Sequence, residues 1–287
     1  MTKVVIFTDM DGTLLDHHTY SHQAADSLLA SLQQTGVPVI PTTSKTFAEL
    51  QQLRRELNNQ HPFICENGAG VYIPKGYFSQ MPSDLINIGD FRLKAFVQDR
   101  QHWRSLLAGL DTELQAEFIT FTDLGVDGIM KATGLPEEQA RQSADRHFGE
   151  PVQWRGSEQS LQRFCEAVSE LGGNTLVGGR FVHVSGATDK GKALQWLAQC
   201  YSDQWQAKVT TVALGDGGND VAMLATADYP IIVRSPTNPP PQLPTSARNQ
   251  ERLIITQHTA PQGWVEGVSQ VLAELPGFDY SQITQHN

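Results

Sequence analysis

Short apolar runs recur along the chain, and each is followed by apolar residues at helical spacing. Val4–Phe7 precedes a helix expected to start near Ser21, with Ala25, Leu28, Leu29 and Leu32 on one face and Gly36 set to end it. Val37–Ile40 leads to Thr43, Ser44 and Lys45, and "TFAE" then opens a second helix, Thr46 and Glu49 standing at capping-box spacing. Phe63–Cys65, Phe181–Val184, Val209–Leu214 and Ile231–Val233 are further apolar runs. Strands of this kind alternating with helices predict an α/β fold, a Rossmann-like doubly wound parallel sheet covered on both faces.

The middle of the chain has a different rhythm. From about Ile88 to Gly186, strand-like pieces ("LKAFV", "EFITF") mix with helices. One helix opens at "GLPEEQ", where Pro136 suits a first turn, and another is carried by Leu161, Phe164, Val168 and Leu171 before "LGG". Residues 88–187 are therefore expected to form an inserted α+β module, with 1–87 and 188–287 making the sheet-bearing core. The proline-rich stretch "RSPTNPPPQLP" (234–244) reads as a surface loop.

Composition narrows the partners. The 287 residues carry a net charge of −10, which argues against a general binder of nucleic acid or anionic membrane but leaves room for one cationic pocket. Cys65, Cys165 and Cys200 show no pair spacing, as in a reducing compartment. The run Val4–Phe7 is too short for a secretory leader. No stretch approaches the ~20 apolar residues of a membrane span. A cytoplasmic protein is expected.

Chemistry enters where the first strand ends. In "VVIFTDMDGTLLD", Asp9 and Asp11 stand at i and i+2, on one side of an extended chain. Two carboxylates about 4 Å apart repel by about 4 kcal/mol at an effective dielectric of about 20. Such a pair either lies solvated in a turn or is answered by a cation or a shared proton. "VTTVALGDGGND" repeats the arrangement, with Asp216 and Asp220 after an apolar strand and glycines that let the backbone turn. The carboxyl ends of neighbouring parallel strands are where ligands bind in such sheets. Both acid clusters can then share one site, for which Mg²⁺ is the natural cation. Thr43, before a helix start, could receive an anion or simply cap the helix. Lys190 in "TDKGKAL" reads by itself as a solvated lysine. "GATDKGKA" falls short of a P-loop, because Ala193 stands where a metal-binding hydroxyl is required.

Taken in order, "DMDGT", Thr43, Lys190 and "GDGGND" resemble the four motifs of the haloacid dehalogenase superfamily. The insert between the second and third resembles the cap of its Cof-type, sugar-phosphatase branch. "PFICENGAGVYIP", "TGLPEEQA", "GGRFVHV" and "PQGWVEGV" extend the likeness to the mannosyl-3-phosphoglycerate phosphatase family. The resemblance implies that Asp9 is the nucleophile and Asp11 the acid–base. It implies that Thr43 and Lys190 hold the phosphoryl oxygens, with Ser44 and Asn219 as further substrate contacts. Asp216, Asp9 and the carbonyl of Asp11 would bind Mg²⁺, with Asp220 a further or supporting ligand.

A glycosyl-phosphoglycerate carries a carboxylate, so the cap is expected to supply a cation. Arg180 comes first, then Arg146 and Arg155, with His183 near the same turn and Glu150 available for sugar hydroxyls. Arg180 reads equally as a hairpin-turn arginine and Arg146 as a solvated helix arginine. The expected reaction is hydrolysis of mannosyl-3-phosphoglycerate to mannosylglycerate, a compatible solute. The alternatives are glucosyl-3-phosphoglycerate or another sugar phosphate such as sucrose phosphate, a phosphosugar mutase, or a non-catalytic sensor.

Overall fold

The computed structural model describes residues 2–178, 180–247 and 249–284. Along the chain, strand β1 (Lys3–Thr8) leads to helix α1 (Asp26–Gln34), strand β2 (Val39–Pro41) and helix α2 (Phe47–Glu56). Strands β3 (Phe63–Cys65), β4 (Gly70–Pro74), β5 (Ile86–Ile88) and β6 (Phe91–Ala95) follow. Next come α3 (Arg100–Ala108), α4 (Thr112–Gln115), β7 (Phe118–Thr120), α5 (Phe121–Thr133), α6 (Glu137–Ala144) and β8 (Glu150–Trp154). Helix α7 (Glu158–Glu170) precedes strands β9 (Asn174–Val177) and β10 (Val182–Ser185). The last part holds α8 (Lys190–Trp205), β11 (Val209–Gly215), α9 (Val221–Thr226), β12 (Tyr229–Arg234), β13 (Ile254–Thr259), α10 (Gln262–Glu274) and α11 (Ser281–Thr284). Two compact units result. The first draws on residues up to Thr43, on 57–94 and on the chain from Asp189 onward; the second draws on 44–56 and 95–188.

The first unit is built on a five-stranded sheet in the order β13-β12-β11-β1-β2, every pairing parallel. Val4, Val5, Ile6 and Phe7 are all buried, as a strand covered on both faces requires. Burying each such side chain contributes about 2 kcal/mol. From β1 the chain steps to β2 on one side and later returns to β11 on the other. Strand order thus reverses beside β1, the position where open α/β sheets leave a crevice at their carboxyl ends. Thr8 pairs with Leu214, so the residues after β1 and β11 emerge next to each other.

The second unit carries an antiparallel sheet, β7-β8-β10-β9. Trp103, Leu107, Val152, Phe164, Val168, Val182 and Val184 pack together as one core; Phe121, Ile129, Ala140 and Phe181 form another. The capping box foreseen at "TFAE" is present: Thr46 N–H donates to Glu49 Oε2 at 2.8 Å and Glu49 N–H to Thr46 Oγ1 at 3.2 Å. Several details differ from the sequence pattern. The runs Phe63–Cys65 and Phe181–Val184 do not join the parallel sheet: β3 pairs antiparallel with β4, and β10 antiparallel with β8 and β9. "EFITF" divides, because the Thr120 hydroxyl accepts from Asp123 N–H and starts α5 at Phe121. Leu171 lies beyond α7 as its C-cap and is 54% exposed, so it does not extend the apolar stripe of that helix.

Candidate active site

Asp9 follows β1, an interior strand of the sheet between β11 and β2. Its N–H donates to Leu214 O at 2.9 Å, its side chain is buried, and its Oδ1 accepts from Lys190 Nζ at 2.7 Å. Lys190 is the first residue of α8, and its ammonium also donates to Asp220 Oδ1 at 2.6 Å. A helix N-terminus is an unfavourable place for a cation. Here Asp189 caps that end, accepting from the N–H groups of Gly191 and Lys192, and the two partner carboxylates hold the ammonium. Burial disfavours the charged lysine, but Asp220 and Asp9 outweigh it and its pKa moves up. The solvated lysine of the sequence reading is a buried one.

The second acid cluster meets the first at this point. Asp220 Oδ2 accepts from the N–H groups of Asp216 (3.1 Å) and Gly217 (3.0 Å), so both of its oxygens are engaged. Asp216 Oδ1 accepts from the Thr13 hydroxyl at 3.1 Å. Carboxylate oxygens of Asp9, Asp216 and Asp220 lie within 4.8 Å of one another. The turn after Asp9 is tight: Gly12 has φ +75°, and a Cβ there would come 2.7 Å from Asp216 Oδ2. Only glycine lets the loop approach this closely.

Charge does not balance within the cluster. Burial raises the Asp9 carboxyl to about 7; Lys190 opposes the shift, and Asp220 and Asp11 add to it. Asp216 is raised too, by burial and by Asp220. Carboxylates this close, opposed among the described residues by one buried ammonium, make a donor set suited to a hard divalent cation. The residues fit Mg²⁺ on that ground.

Thr43 sits at the end of the neighbouring strand. Its N–H donates to Ile64 O (3.0 Å), and its carbonyl accepts from Asn67 N–H (2.9 Å). Asn67 Oδ1 in turn accepts from Asn219 Nδ2 at 3.2 Å. Ser44 follows Thr43 and is exposed. In the second unit, Glu150 is fully buried; one oxygen pairs with Arg100 Nε and the other accepts from Thr122 N–H at 2.9 Å. Burial and the nearby Arg146 charge push the His183 imidazole down to about 4, so it is neutral at pH 7. Arg180 is exposed and donates to Thr133 O at 2.7 Å; Arg155 is exposed just beyond β8. Asp9, Lys190, Asp216 and Asp220 of the sequence reading thus converge, and Arg146 lies near His183.

A haloacid dehalogenase-like hydrolase profile matches residues 6–86, and a sucrose-6F-phosphate phosphohydrolase profile matches residues 179–270. A protein from Methanococcoides burtonii named glucosyl-3-phosphoglycerate/mannosyl-3-phosphoglycerate phosphatase is 38% identical over 82% of this chain and 86% of its own. One of the same name from Persephonella marina is 31% identical over 95% of this chain and 98% of its own. The chain belongs to this phosphatase family, among the haloacid dehalogenase-like hydrolases. It is a phosphoric monoester hydrolase.

Solved structures share the phosphatase's fold. A haloalkanoate dehalogenase superfamily phosphatase from Bacteroides thetaiotaomicron has a TM-score of 0.61 at 18% identity, covering 98% of this chain and 96% of its own. The sucrose-phosphatase of Synechocystis, solved with sucrose and phosphate, has a TM-score of 0.54 at 17% identity, covering 94% and 98%. Among the described residues, no helix of the phosphatase is long and apolar enough to cross a membrane.

Four residues around the site were not foreseen. Thr13 lay inside "DMDGT" and Asp189 stood before the lysine, a cap position readable from residue type alone. Asn67 lay in "ENG", where Glu66, Asn67 and Gly68 all adopt positive φ. A Cβ on Gly68 would fall 2.5 Å from Asp189 O, so the turn packs directly on the start of α8. Trp264 gave no local signal; its indole reaches Thr8 from a distant helix.

Proposed function

We propose that this phosphatase hydrolyses mannosyl-3-phosphoglycerate to mannosylglycerate and phosphate through an aspartyl-phosphate on Asp9, with Mg²⁺ as cofactor. The observation that carries this is the buried Asp9 carboxylate, tethered by Lys190 at the end of β1 and facing Asp216 and Asp220. An Asp9 oxygen attacks phosphorus in line as the bond to the glycerate oxygen breaks, and Asp11 gives that oxygen its proton. Water then attacks phosphorus, Asp11 takes the water's proton, and the phosphorus–Asp9 bond breaks to restore the carboxylate. The Lys190 ammonium and the Thr43 hydroxyl neutralise and orient the phosphoryl oxygens, with Ser44 and Asn219 as further contacts. Mg²⁺ bound by Asp9, Asp216 and the Asp11 carbonyl supplies the remaining positive charge at the phosphoryl group. Asp220, with both oxygens engaged, positions Lys190 and the Asp216 turn.

Selectivity for the glycerate carboxylate falls to Arg180, Arg155 and Arg146 of the second unit. His183 and Glu150 support the local structure, the former neutral and the latter paired. The three cysteines are free, in keeping with a cytoplasmic enzyme. Glucosyl-3-phosphoglycerate is the second reading, because the relatives' names carry both sugars. The test is phosphate release with Mg²⁺ from mannosyl-3-phosphoglycerate, glucosyl-3-phosphoglycerate and sucrose phosphate. The expected order has the two phosphoglycerates well ahead. Preference for sucrose phosphate, or isomerised sugar phosphate in place of free phosphate, overturns it.

A further inference from the structure

The peptide groups on both sides of Asp9 are fixed by different means. Its N–H is held by Leu214 O on β11 at 2.9 Å. Its carbonyl accepts from the hydroxyl of Thr8 at 2.7 Å. That hydroxyl itself accepts from Trp264 Nε1, on α10, at 3.0 Å. Thr8 and Trp264 are both fully buried. A hydroxyl has one proton to give and two lone pairs to receive with. When the indole N–H occupies a lone pair, the proton is directed to the Asp9 carbonyl and the rotor stops. A buried indole N–H needs a partner, and any backbone carbonyl of the sheet would have served. Its partner here is the one hydroxyl whose proton goes to the Asp9 carbonyl.

We propose that Trp264 is a positioning residue that acts through Thr8 to fix the backbone of Asp9 and aim its carboxylate at phosphorus. The inference rests on Asp9 being the nucleophile. In-line attack is intolerant of displacement, so a loosened peptide unit lowers the rate of the chemical step more than substrate affinity.

The test measures kcat and KM for p-nitrophenyl phosphate with Mg²⁺, together with Tm, for Trp264→Phe, Thr8→Val and the double variant. Thr8→Ser serves as the conservative rescue. Each single loss of a hydrogen bond should lower kcat about three- to tenfold and leave KM within about twofold. The double variant should be no slower than the slower single variant, because both cut the same chain of bonds. Thr8→Ser should recover most of the activity lost in Thr8→Val. Unchanged kcat in folded Trp264→Phe overturns the proposal, as do losses that multiply in the double variant or a fall in kcat that merely follows Tm. Should Trp264→Phe fail to fold, Thr8→Ser matching Thr8→Val in kcat overturns it alone. Asp9→Asn is assayed alongside: an inactive Asp9→Asn with unaffected Trp264→Phe removes only the relay, whereas an active Asp9→Asn removes the nucleophile itself.

Discussion

Buried charge is treated in opposite ways in the two units. In the first, Asp9, Asp216 and Asp220 gather near Lys190 and excess negative charge is left standing; burial above all, with Asp220 adding to it, raises Asp9 to about 7. In the second, Glu150 is matched by Arg100 and by Thr122 N–H, while His183 is held neutral. A fold keeps an unbalanced cluster only where a ligand completes it; a balanced one needs nothing further. In the proposed function the first arrangement serves catalysis, and the second serves the stability of its unit.

The largest effect is expected of Asp9→Asn. It keeps the shape but removes the attacking oxygen's charge, and kcat should fall by about 10⁴-fold or more with the fold retained, as read by phosphate release and circular dichroism. Lys190→Met comes next: kcat should drop by about 10²- to 10³-fold. With a chelator present, Tm should fall as well, because the buried carboxylates lose their counter-charge; Mg²⁺ should restore part of it.

Glu150→Gln sharpens the contrast from the other side. It should cost about 3 kcal/mol in denaturant unfolding, leaving Arg100 without its carboxylate, while KM stays within about twofold. A rise in KM at unchanged stability would return Glu150 to sugar recognition. Arg180→Ala should raise KM for mannosyl-3-phosphoglycerate about tenfold and leave p-nitrophenyl phosphate unaffected; equal losses remove it from specificity.

The smallest effect is on pH dependence. The folded-state pKa of Asp9, about 7, lies above its unperturbed value of 3.8. The folded protein then retains a proton that the unfolded chain has released, and this contribution is full below about pH 4 and lost as pH rises through about 7. In chelator, Tm should fall over that interval, and Asp9→Asn should flatten the slope.

The alternation of apolar runs and helices made the parallel sheet legible at Val4–Phe7, Val37–Ile40, Val209–Leu214 and Ile231–Val233. Phe63–Cys65 and Phe181–Val184, also apolar runs, pair antiparallel in other sheets, because an apolar run reports burial and not strand direction. Asp9, Asp11, Asp216 and Asp220 were legible because acids at the ends of apolar strands are costly unless they have a task. Lys190 was harder. Its sequence surroundings suit an exposed helix start, and only packing shows that its ammonium is buried between two carboxylates. Residues that act by holding others left the weakest trace. Trp264 reaches Thr8 across 256 positions of sequence, and the Glu150–Arg100 pair joins β8 to the start of α3. Periodicity reports burial, not partners.

The central claim is that Asp9 carries the phosphoryl group, and chemical trapping tests it most directly. Protein mixed with substrate and Mg²⁺ is quenched within one turnover, treated with tritiated borohydride to reduce any acyl-phosphate, and mapped by mass spectrometry. Label is expected at position 9 alone, dependent on both substrate and Mg²⁺. Label at another residue, or none under conditions of rapid turnover, contradicts it.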